Sequence, residues 1–140
     1  MEIEHIVRVV NEWDIIKARS LGRKAARELG FNAVDQARIV VVVSELARNI
    51  VKYAGSGEIR ISCLCNGSSK GMHIHAADEG PGMDIRQVLK DGYSTSRGLG
   101  AGLPGIKRLM DSFIASSSPG SGTSISATLW LKNSAGRVTT

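Results

Sequence analysis

The chain has 140 residues, of which 42% are hydrophobic and 22% charged, and a formal net charge of +5; that suits one globular domain with apolar residues enough for a core. No apolar run approaches the roughly 20 residues of a membrane span, and Met1-Glu-Ile-Glu-His has neither the basic nor the apolar part of a secretory leader, so no membrane partner and a cytoplasmic location are expected. The positive charge suits nucleic acid, but aromatics at 4% give no platform for stacking bases, so no nucleic-acid partner is expected; an acidic protein or a polyphosphate ligand would use the same excess.

Residues 3–10 read as a strand from their β-branched content. Asn11 caps a helix that runs to about Leu29, with Trp13, Ile16, Leu21, Ala25 and Leu29 near one stripe and Arg19, Arg23, Lys24 and Arg27 as a solvated face. Gly30 stops it, and Asn32 caps a second helix over about 34–54. Two alternating strands follow, 58–65 and 72–77, joined by turn residues Asn66–Gly71 as a hairpin. Cys63 and Cys65, two apart on a strand, are poorly placed to bond each other and read as small hydrophobes. A short helix (84–90), a stretch rich in Gly, Ser and Thr (91–105), a helix (about 103–111) and strands at about 112–118 and 123–131 complete one domain over residues 1–132. Residues 133–140 read as a flexible tail. The order predicts an α+β two-layer sandwich: a mixed, mostly antiparallel sheet covered on one face by helices.

Three segments carry chemistry. In the second helix, Ile39, Val43, Leu46 and Ile50 mark the core stripe, while Glu45, Asn49 and Lys52 share another face. A carboxamide oxygen can ligate a hard cation, and a carboxylate one turn away can orient or deprotonate a hydroxyl; an ordinary polar helix face has the same spacing. In Asp78-Glu-Gly-Pro-Gly-Met83, Asp78 ends a strand and Gly80 and Gly82 let the chain turn close to a flat ligand, so the carboxylate can accept a hydrogen bond from an exocyclic amine; an acidic turn is the plainer reading. In Gly92–Gly105, clustered glycines before a helical pattern can turn N–H groups to an anion, helped by the hydroxyls of Ser94 and Thr95 and the charge of Arg97. Gly100-Ala-Gly-Leu-Pro-Gly105 matches the spacing of a dinucleotide fingerprint, but no strand precedes it, and no P-loop signature exists. His73 and His75 share a strand face without a third ligand for a metal.

Together, in this order and spacing, the segments resemble the Bergerat-fold ATPase superfamily of gyrase, Hsp90, histidine kinases and MutL. Ser44-Glu-Leu-Ala-Arg-Asn49 looks like its N box, Asp78–Gly82 and Gly98–Gly102 like its glycine boxes, and Gly120-Ser-Gly-Thr123 like its late threonine segment. Within the superfamily the chain is similar to the anti-sigma-factor serine kinases, from about Ile6 to Leu131. The resemblance implies ATP and Mg²⁺ as cofactors. It implies Glu45 as catalytic base or orienter, Asn49 as Mg²⁺ ligand, Asp78 on the adenine amine, Gly80 and Gly82 admitting the adenine edge, and Thr123 supporting it. Gly98, Gly100 and Gly102 would form a phosphate lid, and further nucleotide contacts would come from Met83, Leu99, Ala101 and Leu103, with Arg48, Lys52 and Arg97 as outlying candidates. Arg97 departs from the glycine that close relatives tend to carry. The substrate implied is a serine or threonine on a STAS-domain antagonist protein, whose phosphorylation frees the kinase for a second partner, a phosphatase or other effector, in a bacterial stress or signalling pathway. The alternative is a non-catalytic switch in which nucleotide only sets the partner-binding shape. A histidine kinase would need a dimerising segment with its acceptor histidine, for which this chain has no room.

Overall fold

The computed structural model describes residues 4–88 and 102–132. In chain order the elements are strand β1 (Glu4–Val9), helices α1 (Glu12–Leu29) and α2 (Ala33–Asn49), a π-helical turn (Ile50–Ala54), strands β2 (Gly57–Asn66) and β3 (Ser69–Asp78), helices α3 (Ile85–Val88) and α4 (Gly102–Leu109), and strands β4 (Ser112–Ser117) and β5 (Thr123–Trp130). The expected tail and most of the Gly/Ser/Thr stretch lie outside the described residues.

The helix starts follow from their caps. The Asn11 side chain accepts from the Asp14 N–H at 3.1 Å, and Asp14 accepts in return from the Val10 N–H at 2.9 Å. Asn32 accepts from the Asp35 N–H at 2.8 Å. These bonds satisfy amides that the first helical turn leaves open. At the end of α1, Gly30 takes φ 108°, a conformation that only glycine adopts without strain, and its N–H reaches the Ala26 and Arg27 carbonyls.

The sheet order is β1-β2-β3-β5-β4, and the pairing is antiparallel throughout, so the mixed character expected from the sequence is absent among the described strands. The β2–β3 hairpin closes tightly, with Asn66 opposite Ser69. Alternation sends Ile59, Ile61, Ile74, Ala76, Ile125, Ala127 and Leu129 to one face, where they meet Ile15, Ala18 and Ala25 of α1, Ile39, Val42, Val43 and Leu46 of α2, and Leu103 and Ile106 of α4. The other face is not covered by any described helix and carries Arg60, Ser62, His73, His75 and Ser126, all half-buried.

The expected stripe on α1 is corrected in part. Ala25 is buried and Leu21 and Leu29 pack against the core, but Trp13 and Ile16 are 78% and 48% exposed, and the buried face is made of Ile15, Ala18, Gly22, Ala25 and Ala26. Close approach decides this: a side chain at Gly22 would come within 3.1 Å of Val43, so small residues form the contact and large ones are turned out. The second helix has its expected extent, but its last turn is π-helical, closed by the Gly55 N–H on the Ile50 carbonyl at 2.8 Å.

Candidate active site

α2 delivers the first residues. Ile39, Val43, Leu46 and Ile50 are buried as their stripe requires. Glu45 is buried too, its side chain only 6% exposed, so it is no member of a solvated face. Its Oε2 accepts from Arg48 Nη1 at 2.7 Å, across one helical turn. Burial pushes the Glu45 carboxyl above the ordinary range, and the Arg48 charge and hydrogen bond offset part of that push. Asn49 is half-buried at the junction with the π turn, a departure from α geometry common at functional sites. Lys52 is exposed and lies 5.2 Å from the centroid of the Tyr53 ring.

The π turn is pressed against the end of β3. A side chain at Gly57 would strike Ile50 at 2.8 Å and Asp78 at 3.1 Å, and one at Gly80 would strike Ala54 at 2.6 Å. The helix end bearing Asn49 and the strand end bearing Asp78 are thereby held side by side. Asp78 lies between Gly57 and Thr123 in the sheet, and its Oδ1 accepts from the Gly80 N–H at 2.9 Å. This bond fixes the carboxylate on the turn that follows it. Gly80 and Gly82 also have a packing reason: the room their side chains would take is filled by Ala54 and by the Ser118 carbonyl.

Ser117, which sequence reasoning missed, ties this region together. Its hydroxyl accepts from the Met83 N–H at 2.9 Å and donates to the Gly122 carbonyl at 2.6 Å, and it lies 2.9 Å from the Thr123 hydroxyl. A serine has one proton to give, and Gly122 receives it, so Thr123 must be the donor in the third bond. The buried Thr123 oxygen can then serve a ligand only as an acceptor. The signal was present as the run Ser116-Ser-Ser118, but only the β4–β5 register, with Ser117 opposite Thr123, singles out the middle serine.

Replacing Gly82 with alanine tests this lacing. Gly82 has φ 77°, and a Cβ there would collide with the Ser118 carbonyl oxygen. The left-handed conformation and the overpacking together should cost about 2–5 kcal/mol of stability, read as a lower midpoint in chemical denaturation.

Of the glycine segment, Gly102 to Gly105 are described: Gly102 opens α4 with φ 67°, and Leu103, Pro104 and Gly105 are buried. The Leu103 side chain therefore faces the core cluster. Ser94, Thr95, Arg97, Gly98, Leu99, Gly100 and Ala101 lie outside the described residues.

A cleft of about 610 Å³ opens at the Asp78 end of the sheet, with Arg8, Glu58, Glu79, Ser116 and Ser124 in its walls beside Asp78 and Thr123; neither Glu45 nor Asn49 lines it. The histidines are satisfied on the sheet face opposite the core, His73 Nδ1 at 3.0 Å from Thr128 Oγ1 and His75 Nε2 at 2.9 Å from Ser124 Oγ. Cys63 and Cys65 form no disulfide; Cys63 is buried as expected, and Cys65 is exposed. Among the described residues no group of three or more His, Cys, Asp or Glu could hold a metal ion, and no helix is long and apolar enough to cross a membrane.

Comparison with known proteins adds sequence to this geometry. The family model described as "Histidine kinase-, DNA gyrase B-, and HSP90-like ATPase" matches residues 34–133. The curated serine/threonine-protein kinase RsbT of Bacillus subtilis (strain 168) is 56% identical over 133 residues, which cover 94% of this chain and 100% of that protein. Among solved structures, the RsbU and RsbW domains of Rv1364c from Mycobacterium tuberculosis superpose with a TM-score of 0.60 at 19% identity, over 94% of this chain and 32% of that one. The mycobacterial sensor histidine kinase MprB superposes with a TM-score of 0.52 at 14% identity, over 92% of this chain and 98% of that one. At these identities the two structures speak for the fold.

Proposed function

The chain belongs to the histidine kinase-, DNA gyrase B- and HSP90-like ATPase family, and we propose that within it the protein is an ATP-dependent serine/threonine-protein kinase that regulates by switching partners. The observation that carries this reading is Glu45: a carboxylate buried on α2, bonded to Arg48, one turn before Asn49. Transfer to a hydroxyl uses a desolvated carboxylate one turn from the proposed Mg²⁺ ligand, and a nucleotide-binding switch without chemistry does not require one.

In this reading Asp78 accepts a hydrogen bond from the adenine amine, and Thr123 offers its oxygen to the same end of the ligand. Gly80 and Gly82 set the path of the segment along the base, and Met83 continues it. The Asn49 carboxamide offers a hard oxygen donor that fits Mg²⁺, which takes one or two protein oxygens and fills the rest of its shell with water and phosphate. Asn49 would hold the ion, which when bound neutralises charge on the phosphates. By resemblance, the N–H groups of Gly98–Leu103 would cradle the phosphates and Ser94 and Thr95 would add hydroxyl donors. Arg97 and Lys52 are the outlying candidates. Glu45 receives the proton of the attacking hydroxyl, and most of the remaining acceleration comes from positioning.

The acceptor is a serine or threonine on a STAS-domain antagonist, the second partner is a phosphatase or other effector, and the protein works in the cytoplasm, where ATP is supplied. The test is incubation with γ-labelled ATP, Mg²⁺ and STAS-domain proteins of the same cell. Label should appear on a serine or threonine of one of them. A folded, ATP-binding protein that labels none would leave the non-catalytic switch in its place.

A further inference from the structure

Arg48 is 48% exposed and Glu45 is 6% exposed, yet the two side chains meet at 2.7 Å. A long, solvated arginine gains little from a surface pair and loses rotamer freedom in making one. Here one partner is buried, so the bond relieves a desolvated carboxylate and fixes its rotamer. Position allows it: three residues on, in the last turn of α2, the guanidinium lies over Glu45 and also suits the negative end of the helix dipole. α1, α4, β2, β3 and the π turn with its Lys52 pack on α2, and among the described residues Arg48 is the charged group that acts on the Glu45 carboxyl.

We propose that Arg48 is a positioning residue that holds Glu45 as an ionised carboxylate in one orientation, ready to take the proton of the acceptor hydroxyl. This rests on the kinase reading above. In the step served, the acceptor oxygen bonds to the γ-phosphorus and the bond from that phosphorus to the β,γ-bridging oxygen breaks. ADP leaves with the electron pair, and the hydroxyl proton passes to Glu45. Arg48 itself touches neither nucleotide nor acceptor, in place of the nucleotide contact expected from the sequence.

The sign of the effect follows from the two opposed influences on Glu45. Burial raises its pKa and Arg48 lowers it, so removing Arg48 raises it further. A base must be deprotonated to act; the acid limb of the rate profile should therefore move to higher pH, with loss deepest on the acid side and recovery as pH rises. Each unit of movement lowers the rate about tenfold on that limb.

The experiment compares wild type, Arg48→Met and Arg48→Lys by transfer rate at saturating ATP as a function of pH, by ATP affinity, and by the carbon-13 titration of the Glu45 carboxyl. Arg48→Met should shift the acid limb and the carboxyl titration upward together, with ATP affinity unchanged, and Arg48→Lys should restore part of both. A loss equal at every pH, an unmoved Glu45 titration or weakened ATP binding would overturn the proposal. The carboxyl titration needs no turnover, so it reads Arg48 even in a protein that transfers nothing. Persistent transfer in a Glu45→Ala protein would instead sink the kinase chemistry on which the proposal rests.

Discussion

Replacing Glu45 with alanine should lower phosphoryl transfer by about 10²–10⁴-fold, the span attributed to a positioned general base, while leaving ATP affinity within about twofold, since no nucleotide contact is lost. The split between rate and affinity identifies the role. A residue that merely held α2 in place would change both, and a nucleotide ligand would change affinity first. Stability should respond little or rise. Glu45 is a carboxylate held away from water, and its removal frees an exposed arginine to be solvated, in contrast to removing the arginine and leaving the acid buried. Single-turnover transfer, nucleotide titration and chemical denaturation on the same preparation separate these outcomes. Transfer that survives the change would remove Glu45 from the chemistry.

The second large effect is expected at Asp78. Its Oδ1 is committed to the Gly80 N–H at 2.9 Å, which leaves the other oxygen for the ligand amine. Asparagine has one carbonyl oxygen. If it keeps the bond to Gly80, the amide it turns toward the ligand is a donor facing a donor. The loss of a hydrogen bond to a charged acceptor, about 1.5–3 kcal/mol, corresponds to about 10–150-fold weaker ATP binding. Asp78→Asn should keep the turn and the fold while losing nucleotide; titration with ATP, read beside a denaturation curve, tests this. Undiminished binding would move the adenine elsewhere.

Much of the fold was legible because local chemistry and tertiary packing agree. Asn11 and Asn32 announce helix starts that the structure caps through the same side chains. The alternation of Ile59, Ile61, Met72, Ile74 and Ala76 predicts the face that the helices cover. Helix α1 departs from its expected stripe where size and periodicity disagree: the large Trp13 and Ile16 turn outward, and Ala18, Gly22 and Ala26 join Ala25 in the contact because the helices approach closely. In the candidate site, the spacing of Glu45 and Asn49 and the strand-end position of Asp78 were readable from residue types alone. Burial of Glu45 was not, since it depends on what packs over α2. Nor was Ser117, whose three bonds exist only in the β4–β5 register, nor the π turn after Asn49, since nothing in Ile50-Val-Lys-Tyr-Ala54 encodes an extra residue per turn.

The proposed kinase holds ATP between the end of α2 and the end of β3. A crystal structure with a non-hydrolysable ATP analogue and Mg²⁺ tests this placement most directly. The expected electron density puts the adenine amine on the Asp78 carboxylate, the metal on the Asn49 oxygen, and the γ-phosphate on the side of Glu45. Nucleotide seated instead against Arg8, Glu58 and Ser124, off the Asp78 carboxylate and with no contact to Asn49, would contradict it.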